Sequence, residues 1–322
     1  MIEMPTPNPR GLLHAMNLHR RIDHLFVGAS ALIMRRAKFF RSDTQSDSLG
    51  ALVNAMRVEI PAILGEGQHE PVLESPVAGL DPAYLVAQWR GPEWPCLIYH
   101  HGNNERPFDF GPVSVHSFKT IIMRHRATFP ANIIALRAPF HDSFSLYLEK
   151  VARLENFAAM VAASTVLAEG LIRTLRAQGC PRILLCGTSL GGFVTNLHRA
   201  CFDTADRYAP IMAGPALDEI FLSGAFNQLL GPAGAANPND LKRVLNHERA
   251  FAARRRPNIK ALMMRHDAIV DFERQSRCLD PGSVQVVDRG HTTGAFATAR
   301  LRSFVLDCLR QSGSITGEKE TQ

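Results

Sequence analysis

The chain has 322 residues, 46% of them hydrophobic and 20% charged, a composition ordinary for a globular protein and a length that buries one large α/β core or divides into two. The formal net charge of +6 sits wholly in residues 10–41, where seven basic residues face Asp23 alone, so the rest of the chain is balanced. No nucleic-acid-binding motif accompanies that segment, no apolar run reaches the ~18 residues of a membrane span, and no basic-then-apolar leader opens the chain; nucleic acid, a transmembrane span and secretion are therefore not expected.

In chain order, residues 10–41 read as a helix, with Leu12, Leu13, Met16, Leu18, Ile22, Leu25, Phe26, Ala29, Leu32 and Ile33 near helical spacing. This basic helix admits three readings: packed on the body with its arginines solvated, self-paired in a homodimer, or lying on an anionic membrane surface. The first two are favoured, because charge on a helix is usually just solvated. After a polar break at 42–50, a Glu-, Pro- and Gly-rich stretch runs to about residue 80. Strand-like runs follow at 84–89, 95–99, 132–136, 182–186, 209–212, 259–264 and 283–287, most of the later ones separated by helical stretches. The longest helix is expected over 151–178, where Val151, Leu154, Ala158, Val161, Thr165, Ala168, Ile172 and Leu175 form one face and Gly179 and Pro181 stop it. Strands alternating with helices predict an α/β fold with a mostly parallel sheet and helices on both faces.

About 45 residues separate the strands at 209–212 and 259–264, and residues 214–258 read as a helical cap with its tip at 231–238, with a decorated crossover helix that never touches substrate as the alternative. The polar tail 313–322 is expected to be disordered. Six cysteines include no C-x-x-C pair, and Cys96 and Cys186 fall inside predicted strands as small buried hydrophobes, so a reducing cytoplasm is the expected compartment.

The chemistry is carried by Gly187-Thr188-Ser189-Leu190-Gly191. The pentapeptide alone is a weak signal. Here an apolar strand leads into it and a helix-like segment follows, the context in which G-x-S-x-G makes a nucleophile elbow, with the serine on a strained turn and glycines where a side chain would collide with neighbouring backbone. An activated serine needs a base, an orienting acid and oxyanion donors. Downstream, the strand at 259–264 runs into Arg265-His266-Asp267, with Asp271 close behind and Asp218 after the preceding strand as rival acids. His291, after the strand at 283–287, is the one histidine beyond Asp267. Upstream, the strand at 95–99 runs into His100-His101-Gly102-Asn103-Asn104, a His-Gly turn where an oxyanion loop belongs.

These residues resemble the α/β-hydrolase superfamily over most of the chain, roughly 84–310. The resemblance implies Ser189 as nucleophile, Asp267 as acid and His291 as base, with the backbone N–H groups of Leu190 and Asn103 as oxyanion donors. It implies a hydrolase domain over residues 81–312 and an N-terminal helical extension over 1–80. The oxyanion loop departs from the glycine-rich lipase version, and the loop Ala138-Pro139-Phe140-His141-Asp142 has no counterpart role. His101 is expected to brace the oxyanion turn; His101, Asn104 and His141 are pocket candidates. The histidines at 100, 101 and 141 invite a zinc reading, but no ligand spacing supports a metal, and no cofactor is expected. The expected activity is hydrolysis of a carboxylic ester through an acyl-enzyme. An acyltransferase, an amidase or peptidase with the same triad, and a silent binding protein of the same fold stand as alternatives.

Overall fold

The computed structural model describes residues 9–35 and 37–310; the expected disordered tail lies outside them. Its centre is an eight-stranded sheet of β1 (Gly67–His69), β2 (Ala83–Gln88), β3 (Cys96–His100), β4 (Asn132–Arg137), β5 (Ile183–Thr188), β6 (Arg207–Ile211), β7 (Ala261–Met264) and β8 (Val284–Val287). The order in space is β1-β2-β4-β3-β5-β6-β7-β8. β2 runs antiparallel to both its neighbours, and every pairing from β4 to β8 is parallel. All seven predicted strands are present. β1, within the segment expected as an extension, is the one added to this sheet, and its short polar sequence carries no apolar signal. A separate antiparallel pair joins Arg57–Val58 to Leu73–Glu74.

The central strands are apolar throughout because both faces are covered. Leu97 and Tyr99 of β3 point to one face with Ile133 and Ala135 of β4; Cys96 and Ile98 point to the other with Ile134 and Leu136. Five helices matter for the site: α1 (Pro9–Ile33), α2 (Leu154–Ala177), α3 (Leu190–Cys201), α4 (His291–Ala295) and α5 (Thr298–Arg310). Leu301, Phe304 and Val305 of α5 cover the first face, and Leu167, Leu171 and Leu175 of α2 the second. Among the described helices α2 is the one long and apolar enough to cross a membrane, but 83% of its apolar window is buried inside the protein, which marks a core helix. It ends at Gly179, whose φ of +92° lies where glycine carries no Cβ penalty.

α1 packs on the body, but over residues 18–33 not through the apolar stripe its spacing suggested. Leu18, Leu25, Phe26, Leu32 and Ile33 are exposed. Among the described side chains, from residue 18 onward, the inward face is Asp23 and Val27, with Met34 just past the helix end, flanked by half-buried His19, Ser30 and Ala31; Leu12, Leu13 and Met16 of the expected stripe lie outside the described side chains. The reason is that buried hydrogen bonds accepted by Asp23, described below, fix how the helix docks. The helix also stops short of residue 41. Phe39 and Phe40 leave it; Phe39 packs edge to face with Phe157, and Phe40 with both Phe157 and Phe221.

The segment 214–258 splits in function. Phe226 and Leu229, in the turn Ala225–Leu229, reach the cavity described below. The stretch 231–238 does not: the Gly231 and Gly234 N–H groups donate to the carbonyls of Phe39 and Phe40 at 2.6 and 2.8 Å. The expected cap tip is thus pinned to the chain leaving α1, and α1 itself supplies Phe26 and Ser30 to the roof, with Met34 just past its end.

Candidate active site

The carboxyl ends of the parallel strands carry the loops of interest, the usual place for a site in an open α/β sheet. Between β5 and α3, Ser189 has φ +53° and ψ −112°, a conformation that costs about 1–3 kcal/mol and persists only where the surroundings enforce it. They do so through two glycines. A Cβ on Gly187 would sit 2.2 Å from the Gly191 carbonyl oxygen, and one on Gly191 would sit 2.2 Å from the His100 carbonyl oxygen. The turn therefore closes only with glycine at both positions, and it presses α3 against the end of β3.

Ser189 Oγ lies 3.1 Å from His291 Nε2, and His291 Nδ1 lies 2.6 Å from Asp267 Oδ2. Asp267 is buried, and its Oδ1 accepts from the N–H groups of Ile269 and Val270 at 2.8 and 2.6 Å. With the carboxylate accepting from Nδ1–H, Nε2 is left free to accept from the serine hydroxyl. Burial opposes the His291 cation, yet the charge of Asp267, its hydrogen bond and the charge of Asp23 together raise the pKa above the ordinary imidazole value. Burial raises Asp267 above the usual carboxylate value, against the pull of His291 and the Val270 N–H. The rival acids do other work. Asp271 caps the turn at Arg274 and pairs with Arg20 at 3.7 Å, while Asp218 is buried against Asn246.

Leu190, as the first residue of α3, has an N–H with no intrahelical acceptor. Asn103 and Asn104 line the cavity with Ser189. The side chain of Asn103 is held by a short hydrogen bond from the Tyr147 hydroxyl. His101 is not a lining residue. It is buried behind the loop, its Nδ1 at 2.6 Å from the Gly102 carbonyl and its Nε2 accepting from Ala138 N–H at 3.0 Å. His141 faces a neighbouring groove, and its Nε2 accepts from Asn104 N–H. The loop 138–142, without a role in the sequence, thus buttresses the turn at 101–104. Burial lowers all three histidines, His100 to about 4 and His141 to about 3, which keeps them neutral. From the other side, Glu105 accepts from Gly102 N–H, Ser117 N–H and the Ser117 hydroxyl.

The cavity over Ser189 measures about 360 Å³ and is largely apolar; His291, Thr292, Ala295 and Phe296 form one side. A smaller apolar pocket of about 20 Å³ opens beyond the serine, between Leu217, Ile220, Phe221 and Val270.

One residue at this site carried almost no sequence signal. Asp23 of α1, fully buried, accepts from the N–H groups of Ala268, His291 and Thr292. The single hint was that it is the sole acid among the basic residues of 10–41. Tyr147 and Glu105 were equally silent.

No family model matches the sequence, and no curated protein is detectably similar to it. Solved structures are similar in fold. Two forms of an acylaminoacyl peptidase from Pyrococcus horikoshii superpose with TM-scores of 0.52 and 0.51 at 12% and 14% identity, over 80% and 83% of this chain. An acylaminoacyl peptidase complexed with Z-Gly-Gly-Phe-chloromethyl ketone gives 0.50 at 16% identity over 75% of this chain. The chain spans less than half the length of these proteins, at 44%, 43% and 41%. What is shared at these identities is the fold alone, a mostly parallel sheet with helices on both faces, and that fold is the α/β-hydrolase fold.

Proposed function

We propose that the protein is a serine hydrolase that cleaves a carboxylic ester through an acyl-enzyme on Ser189. The observation that carries this reading is the unbroken Ser189–His291–Asp267 hydrogen-bond chain on a strained elbow. His291 Nε2 takes the Ser189 proton as Oγ attacks the acyl carbon, and Asp267 holds the tautomer and the imidazolium that forms. The N–H groups of Leu190 and Asn103 receive the oxyanion, each such donor being worth ~10²–10³ in rate. As the intermediate collapses, His291 returns the proton to the departing alkoxide. Water, losing a proton to the same nitrogen, then attacks the acyl-enzyme, releasing the carboxylic acid and restoring the serine.

The cavity gives the substrate a direction. The leaving group must lie within reach of His291, and His291 borders the larger cavity, so the alcohol occupies that side. The acyl chain points the opposite way, into the pocket of about 20 Å³, which holds little more than one water-sized group. The reading is therefore a short-chain acyl ester of a bulky apolar alcohol.

The test is a panel of p-nitrophenyl esters from acetate to octanoate, with matched anilides and added alcohol acceptors, run beside a fluorophosphonate probe. Expected are labelling of Ser189, loss of labelling and turnover in Ser189→Ala, and kcat/KM that falls as the acyl chain lengthens. Faster cleavage of anilides would make the protein an amidase, and ester products from the alcohols would make it an acyltransferase. Absence of labelling would leave a silent binding protein.

A further inference from the structure

Asp23 stands outside the proton path, yet it touches both loops that carry it. Its Oδ2 accepts from Ala268 N–H at 3.1 Å and His291 N–H at 2.8 Å, and its Oδ1 accepts from Thr292 N–H at 2.8 Å. Ala268 follows Asp267 in the loop after β7, whereas His291 and Thr292 open α4 after β8. One carboxylate thus ties the acid loop to the base loop, and nothing else described among the hydrogen bonds of α1 spans the two. Three N–H donors on a fully buried carboxylate are a satisfied set, so the contact is strong and geometrically fixed. The fit is close: a Cβ on Gly290 would lie 2.8 Å from Asp23 Oδ2. His19, one turn earlier in α1, extends the clamp to Thr293, whose hydroxyl also accepts from Gly290 N–H.

Resting on the reading of Ser189 as nucleophile, we infer that Asp23 is a positioning residue that sets the Asp267–His291 geometry, so that α1 is part of the working active site. A simpler role, gluing a helix to the surface, would not need both oxygens on the loops that carry the acid and the base. The titratable groups that act on His291 are Asp267 from the β7 loop and Asp23 from α1; on the same two elements His19 stacks on His266 and Arg20 pairs with Asp271. Removing the Asp23 charge takes away one stabiliser of the imidazolium, so the base becomes neutral at lower pH.

The experiment compares the full chain with Asp23→Asn, Gly290→Ala, Arg20→Ala and Ser189→Ala, by hydrolysis of p-nitrophenyl acetate across pH and by the rate of fluorophosphonate labelling. Asp23→Asn is expected to lose about 10²-fold in kcat/KM, the scale for a catalytic group displaced by about 1 Å. The loss falls on kcat and on labelling rate with KM little changed, and the pH midpoint moves to lower pH. Gly290→Ala pushes on the carboxylate without removing it and loses kcat in the same way, which keeps the test open if Asp23→Asn unfolds. Arg20→Ala, which breaks an exposed contact of the same helix, stays within a few-fold of the starting protein. Wild-type kcat and pH midpoint in folded Asp23→Asn, or a loss confined to KM or to melting temperature, overturns the inference. Ser189→Ala serves the other question: if it still labels and turns over, the nucleophile reading itself fails, independently of Asp23.

Discussion

His291 is held between two carboxylates of different purpose. Asp267 meets its Nδ1 and Asp23 meets its backbone N–H, and both favour the cation that burial opposes. The base works only when neutral, so with acylation limiting, kcat/KM should rise with pH through one ionisation whose midpoint lies above the ordinary imidazole value of ~6.5. A flat profile between pH 5 and 8, with acylation shown to limit, would contradict the role given to His291. Asp267→Asn should lose ~10⁴ in kcat because the imidazole no longer holds the reactive tautomer. Asp271→Asn and Asp218→Asn should stay near wild type on the same ester, since neither side chain reaches His291. A crippled Asp218→Asn or Asp271→Asn would relocate the acid.

Elements differ in how openly the sequence declares them. β3 to β7 were legible because a strand buried on both faces leaves an unbroken apolar run, and α2 because its face repeats through Ala158, Val161 and Leu175. The elbow was legible because Gly187 and Gly191 are demanded by contacts of 2.2 Å. α1 was legible as a helix but not in its orientation. Its inward face is anchored by Asp23 and His19, polar groups that apolar periodicity counts as solvent-facing. The turn at 101–104 was half legible, since its supports Tyr147, His141 and Glu105 come from three separate elements. The elbow carries its own prediction. Gly191→Ala drives a methyl into the His100 and His101 carbonyls, so α3 must move away from the oxyanion turn. The expected result is a loss of about 1–3 kcal/mol in chemical denaturation together with loss of turnover. Unchanged stability would mean that the elbow is looser than this packing.

At the scale of the molecule, the cavity is roofed from two directions. α1 and the residue just past its end give Phe26, Ser30 and Met34, and the turn at 225–229 gives Phe226 and Leu229. The neighbouring stretch 231–238 is tied instead to Phe39 and Phe40, so its part is to hold the end of α1 in place. Shortening 231–238 should therefore lower the melting temperature and leave the chain-length profile unchanged. Phe226→Ala should do the converse. Phe226 borders both the larger cavity and the pocket beyond Ser189, and it is only half-buried, so its removal joins the two spaces at modest cost to the fold. Butyrate and hexanoate esters should then gain on acetate in kcat/KM, read from the same p-nitrophenyl series. The opposite pair of results, selectivity changed by the 231–238 deletion and untouched by Phe226→Ala, would return the cap to the tip of the insertion and place the acyl chain elsewhere in the cavity.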